Sequence, residues 1–243
     1  MSSRKEQKES LRQERLEREQ AAKATERRRQ MVGYGVGGAL ALAALVVVIV
    51  LVLSGGGDGG GGDSDPGNLY PDGGSIPDPG PLSIDVERAA KAAGCELESN
   101  KAAAREHLAE ENATQTYEQN PPTSGAHWAI PADDGIYDEQ PRKEDLVHTL
   151  EHGRVIVWFK KSLPAEDRGK LKAFFDEDDF HLVLTPNDTD MPYAVAATAW
   201  NAEPNQPLGT GQLMGCETFS DKTIDALRAF KDEHRDRGPE TVN

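Results

Sequence analysis

Basic residues are scarce in this chain. Its 243 residues carry 27 Lys and Arg against 42 Asp and Glu, a formal net charge of −15. A chain this acidic lacks the basic face that phosphate contacts require, so no nucleic-acid partner is expected. Cysteine is scarcer, with two residues, Cys95 and Cys216. They form no C-x-x-C pair, which removes a thioredoxin-type redox motif. Hydrophobic residues make up 37% and aromatics 6%, while Gly (24) and Pro (15) are plentiful. That balance points to a folded domain diluted by flexible segments. Neither a G-x-S-x-G nucleophile turn nor a phosphate-binding loop is present, and no internal repeat occurs.

What is present is unevenly distributed. Residues 1–32 hold 10 Lys and Arg against 6 Asp and Glu, a net of +4, which leaves −19 for the remainder. Residues 33–53 (GYGVGGALALAALVVVIVLVL) run for 21 positions without a charge. At about 1.5 Å per residue, such a helix matches a bilayer core about 30 Å thick. Arg27, Arg28 and Arg29 precede the run, and no Lys or Arg follows it until Arg88. The positive-inside rule then puts the N-terminus in the cytoplasm and the bulk of the chain outside the plasma membrane. The long charged leader and the lack of an A-x-A-like site before Ser54 argue against a cleaved signal peptide.

The expected organisation is a charged cytoplasmic tail at 1–32, a single transmembrane helix at 33–53, a disordered Gly/Pro-rich linker at 54–82 and an exported domain at 83–243. The bilayer is an expected partner through residues 33–53. The small-xxx-small pair Gly33 and Gly37 offers a helix-dimer contact. The linker has 11 Gly and 5 Pro among 29 residues. Such a segment buries too little apolar surface to offset its ordering entropy.

In the exported domain the pattern predicts a helix over 84–93 stopped by Gly94, and mostly loop over 95–146. Strands are predicted at 154–159, 181–185 and 193–200. Helices are predicted at 165–177 after Pro164 and at 221–234 capped by Ser220. The expected fold is α+β, a small sheet packed with helices and preceded by a loop-rich part. Cys95 and Cys216 lie in an oxidising compartment and allow one intrachain disulfide. Two free thiols or two metal ligands are the alternatives.

Four of the six histidines fall in the loop-rich part: His107, His127, His148 and His152. The last two belong to the string His148-Thr149-Leu150-Glu151-His152-Gly153. In a helix, a spacing of four lets two rings share one ion; in a strand it separates their Cα atoms by about 13 Å. A helical turn ending at Gly153 is the expectation. H-x-x-E-H is also the inverted zinc-protease motif, but that motif needs a longer helix and a third ligand from another helix. The turn PPTSGAHW (121–128) presents His127. Ser124 beside it is a conceivable nucleophile that nothing in the pattern requires. Met214 would favour Cu(I) if it were a ligand, and core packing is its plainer role.

The strings PPTSGAHW, Gly135–Tyr137 (GIY), VHTLEHGRVIVWF and Arg237–Glu240 (RGPE) together resemble a bacterial family of unknown function, family 3105, common in actinobacteria. The resemblance covers roughly residues 85–240. It implies that the family's histidines correspond to His107, His127, His148 and His152. Ala126 stands where a proline is expected and Arg154 where a small residue is usual. The resemblance implies a bacterial envelope setting and supplies no established activity.

Three functions are weighed. The first is a transition-metal site, Cu or Zn, with His107, His127, His148 and His152 as ligands and Glu151 behind them, orienting a ring. The second is a non-catalytic cell-envelope interaction domain whose histidines point in different directions. The third is a hydrolase using a metal-bound water and Glu151.

Overall fold

The structure is a computed structural model that describes residues 68–79, 85–110 and 113–240. All of them belong to one unit, Asp63–Asn243. The predicted tail 1–32, the predicted span 33–53 and the first part of the linker lie outside the described residues. No helix among the described residues is long and apolar enough to cross a membrane.

The fold is α+β. In chain order it runs α1 (Val86–Ala93), β1 (Cys95–Lys101), β2 (Gly135–Ile136), α2 (Lys143–Glu151), β3 (Val155–Lys160), α3 (Ala165–Glu177), β4 (Leu182–Asn187), β5 (Val195–Glu203), β6 (Gln206–Cys216) and α4 (Asp221–His234). The strands form one six-stranded sheet in the order β1-β6-β5-β3-β4-β2. The pairs β1–β6, β6–β5 and β5–β3 are antiparallel, while β3–β4 and β4–β2 are parallel. The crossover from β3 to parallel β4 runs through α3, as a parallel connection requires.

Both faces of the central strands are covered, and the pleat sorts their side chains. On β3, Val155, Val157 and Phe159 join a core with α1, α3 and α4, including Phe174, Leu227 and Phe230. Ile156 and Trp158 point the other way, into a core with Leu146, Val147 and Leu150 of α2 and Trp200 of β5. This period-two split makes β3 an unbroken apolar run, as in strands buried on both faces. The second core carries the loop-rich part, so α2 and the segments before it form the outer layer on that side.

Several elements agree with the sequence reading. α3 and α4 have the expected bounds, and Gly94 stops α1 with φ 70°, where only glycine is unstrained. At the head of α4, Thr223 Oγ1 accepts from the Ser220 N–H at 3.0 Å. The sheet is larger than expected. Residues 95–146 are mostly loop as expected, but they also hold β1, β2 and the first four residues of α2. β6 had no counterpart in the prediction. Its sequence, QPLGTGQLMGC, is poor in β-branched residues because its neighbours come close. A Cβ at Gly211 would stand 2.1 Å from Thr123 Oγ1, and one at Gly215 would stand 2.3 Å from the Tyr193 ring. β1 (CELESNK) is a mostly exposed strand at the sheet's end, and its pairing with β6 outweighs its weak strand propensity.

Cys95 and Cys216 are disulfide-bonded. They face each other in the β1–β6 register, so the bond ties that terminal strand to the sheet. Residues 68–79, assigned from composition to the linker, pack on the domain instead. Tyr70 is buried, its ring meets Phe159 edge-on at 5.5 Å, and its hydroxyl donates to the Tyr137 carbonyl at 2.7 Å. Leu69 and Ile76 pack against the same core. Three apolar residues in a Gly/Pro-rich stretch were too few to register as structure.

Candidate metal centre

Three local devices bring the site together. The first is the turn at 121–128. Gly125 adopts φ 133°, and its carbonyl accepts from His127 Nδ1 at 2.8 Å. Tyr117 donates its hydroxyl to the Ala126 carbonyl at 2.8 Å, and the Leu108 N–H bonds the His127 carbonyl at 2.7 Å. His127 is thus fixed from both sides and fully buried. The second is the parallel bridge between His107 and His127, which sets His107 beside it on the exposed side.

The third device is α2. His148 and Glu151 lie three residues apart, on one helical face. His148 Nδ1 donates to the Trp128 carbonyl at 2.7 Å. The expected single turn is a nine-residue helix, with His152 as its C-cap. Helix, not strand, holds the H-x-x-E-H string, so its side chains can converge.

His107, His127, His148 and Glu151 each place one ligand atom within 4.8 Å of the others. Ring centroids are 5.0 Å apart for His107–His127, 4.9 Å for His107–His148 and 4.7 Å for His127–His148. These rings converge, contrary to the scattered arrangement required by the interaction-domain reading. His152 is not in this group. Its ring lies 4.5 Å from that of His148, and it forms a second group with His148 and Glu240. Glu151, expected behind the ligands, stands among them.

The hydrogen bonds decide the chemistry of the centre. The Gly125 carbonyl can only accept, so His127 Nδ1 carries a proton. In a neutral ring Nε2 is then a lone pair. Yet Nε2 lies 2.9 Å from Glu151 Oε2. Two lone pairs at that distance repel. The contact is attractive only with a cation on Nε2, either a proton or a metal ion. His148 is oriented by the same device, a carbonyl on Nδ1 that leaves Nε2 for a ligand. Such backbone anchors are how metal-binding histidines are held in register.

Electrostatics support a cation site. Burial pushes the Glu151 carboxyl up, but the adjoining His127 and Arg105 side chains outweigh it and hold the carboxyl at about 2. Arg105 contacts the other carboxylate oxygen, Oε1. Glu151 is therefore ionised at neutral pH and a poor general base, which weakens the hydrolase reading. Burial lowers His148 to about 4, with the neighbouring His127 adding to the effect. Burial lowers His152 as well. Both imidazoles are neutral at pH 7 and ready to donate to an ion.

The donor set of three imidazoles and one carboxylate suits a borderline divalent ion. Met214 is not part of it. It sits fully buried in the core on the opposite face of the sheet, so no thioether from it favours Cu(I). His127 turns Nδ1 to Gly125 and not to Ser124, which leaves Ser124 without a paired base.

Comparison with known proteins fits this description. Residues 108–243 match the family described as Protein of unknown function (DUF3105). The chain belongs to this family. No curated protein and no solved structure matches the chain. The DUF3105 match begins one residue after His107 and includes His127, His148, Glu151 and His152.

Arg105, Glu240 and the carbonyls of Gly125 and Trp128 also shape the centre. Gly125 and Trp128 had a sequence signal in PPTSGAHW and Glu240 in RGPE, though nothing tied Glu240 to His152; Arg105 had none. The segment 236–240 crosses the end of α2. Asp236 N–H donates to the Gly153 carbonyl at 2.8 Å and Glu240 N–H to the Glu151 carbonyl at 3.1 Å. The remaining histidines serve other contacts: His181 pairs with Asp236, and His234 accepts from Asn201 at 3.0 Å.

Proposed function

We propose that this DUF3105 domain binds one divalent transition-metal ion, zinc or copper, through His107, His127, His148 and Glu151. The observation that carries the reading is the 2.9 Å contact between His127 Nε2 and Glu151 Oε2 with Nδ1 already committed to a carbonyl. That geometry demands positive charge at the centre, and three further features agree with a metal. His148 aims its free nitrogen there, its imidazole is neutral, and Arg105 secures the carboxylate from behind. In this reading the apolar run at 33–53 anchors the domain outside the plasma membrane, where thiol-free imidazole and carboxylate ligands suit copper or zinc. An envelope protein is the partner expected in that setting.

The test uses the full chain purified in detergent. After dialysis against trace metal, mass spectrometry should find about one zinc or copper per wild-type chain. His127→Ala and His148→Ala should retain almost none. A wild-type chain that holds neither metal overturns the proposal.

A further inference from the structure

A second donor group adjoins the first. His148, His152 and Glu240 place one ligand atom each within 4.8 Å of one another. His152 Nε2 lies 3.8 Å from Glu240 Oε2. The three donors are graded in exposure: Glu240 is 46% exposed at its side chain, His152 14%, and His148 is buried. They therefore lead from solvent toward the inner group. They also sit at the C-terminal end of α2, where the helix dipole favours a cation.

Glu240 is held there by built structure. Its N–H bonds the carbonyl of Glu151, the residue whose side chain belongs to the inner group. The crossing depends on two glycines. A Cβ at Gly238 would stand 2.2 Å from the Glu151 carbonyl oxygen and 2.3 Å from Gly153 N. Gly153 itself has φ 80°, and a Cβ there would stand 2.9 Å from Gly238 N. The chain thus passes as close to the end of α2 as backbone allows, and the crossing sets the Glu240 carboxylate opposite His152.

His148 belongs to both groups. Its Nδ1 is committed to the Trp128 carbonyl, so Nε2 offers one lone pair and serves one ion at a time. Two groups sharing such a ligand cannot both be filled through it. They can exchange one ion.

We infer that His148, His152 and Glu240 form an outer station through which the metal ion reaches the inner site. This rests on the metal reading of that inner site. The step is a ligand exchange without change of oxidation state. Bonds from the ion to His152 Nε2 and Glu240 break as bonds to His107, His127 Nε2 and Glu151 Oε2 form. His148 Nε2 stays bound as the pivot. Any proton that the ion displaces from a ligand nitrogen passes to water.

The experiment is stopped-flow exchange of Zn²⁺ between the full chain in detergent and a fluorescent chelator. Glu240→Gln changes an exposed side chain and leaves the Glu240 N–H bond in place; His152→Ala is the second variant. Each should slow capture and release together, by about tenfold, with one ion still bound per chain. Unchanged rates in both variants would mean that the ion enters directly beside exposed His107, which overturns the outer station and leaves the inner site standing. Two Zn²⁺ per wild-type chain, one lost in each variant, would also overturn it. A wild-type chain that takes up no Zn²⁺ overturns the inner site itself.

Discussion

Glu151 is the residue at which the electrostatic reasoning can be separated from packing. It is 2% exposed and touches His127 with one oxygen and Arg105 with the other. In Glu151→Gln the amide group can donate to the His127 Nε2 lone pair while the amide oxygen still accepts from Arg105. The neutral variant satisfies every partner with no cation at the centre. Its stability at pH 7 in chelator should therefore stay within about 1 kcal/mol of wild type. Glu151→Ala strips the half-buried Arg105 and the buried His127 of the carboxylate they share and should cost about 3–5 kcal/mol. Acid adds a second signature. The carboxyl is held at about 2 against an ordinary 4.5. A group depressed in the fold contributes stability above its unfolded value and loses it as pH falls toward the folded one. For Glu151 the loss runs from about pH 4.5 to 2 and amounts to about 3 kcal/mol. The Gln variant should lack that component. Urea titrations followed by tryptophan fluorescence report it, since Trp158 and Trp200 are fully buried. The reasoning fails if Gln costs as much as Ala, or if the Gln variant loses stability below pH 4.5 as steeply as wild type.

Reduction of the disulfide, or Cys95→Ser with Cys216→Ser, releases a loop with a sequence separation of 121; the urea midpoint should drop by the equivalent of about 4–5 kcal/mol. His234 is lowered to about 4 by burial, with the Arg237 charge adding to it, so it is neutral in the fold. Its contribution is full above pH 6.5 and falls as pH drops toward 4. His234→Gln should remove about 3 kcal/mol of acid loss over that window, measured as a flatter stability–pH curve. Gly238→Ala forces backbone apart at the end of α2 and should break the Glu240–Glu151 and Asp236–Gly153 bonds, at a cost of about 2 kcal/mol. Faster amide exchange at Glu240 and Asp236, with the sheet unaffected, is the expected readout.

The histidine cluster was partly legible because its chemistry is carried by residue type. Four histidines in a loop-rich stretch, two at helical spacing, suggest convergence before any fold is known. What the pattern could not reveal is which of them share a centre. His152 sits one turn past His148 yet faces Glu240, because α2 ends there and the chain turns at Gly153. Glu151 belongs to the same donor group as the histidines, with its other carboxylate oxygen on Arg105, which has no motif of its own. The fold was legible where apolar periodicity is strong, as in β3, α3 and α4. It was hidden in β1 and β6, where strand pairing and close glycine packing decide, and at Tyr70, a single buried aromatic in a Gly/Pro-rich stretch.

The location of the centre follows from the same imbalance. Residues 102–134 contain no described helix or named strand. They rest on the second core through few apolar side chains, chiefly Ala102, with Tyr117 and Ala132 packed beside it. Their order comes from individual hydrogen bonds: Tyr117 to Ala126, Gln115 N–H to the Glu144 side chain at 2.8 Å, and His127 to Gly125. Two of the proposed ligands, His107 and His127, come from this stretch, and the other two from α2. An ion at the centre would therefore cross-link the least regular part of the domain to a helix seated on the sheet. Because such a site exists only when both parts are in place, its binding energy is also folding energy for residues 102–134. Metal should accordingly protect backbone amides in that stretch from exchange far more than those of β3 or β4, whose order comes from sheet pairing and the two apolar cores.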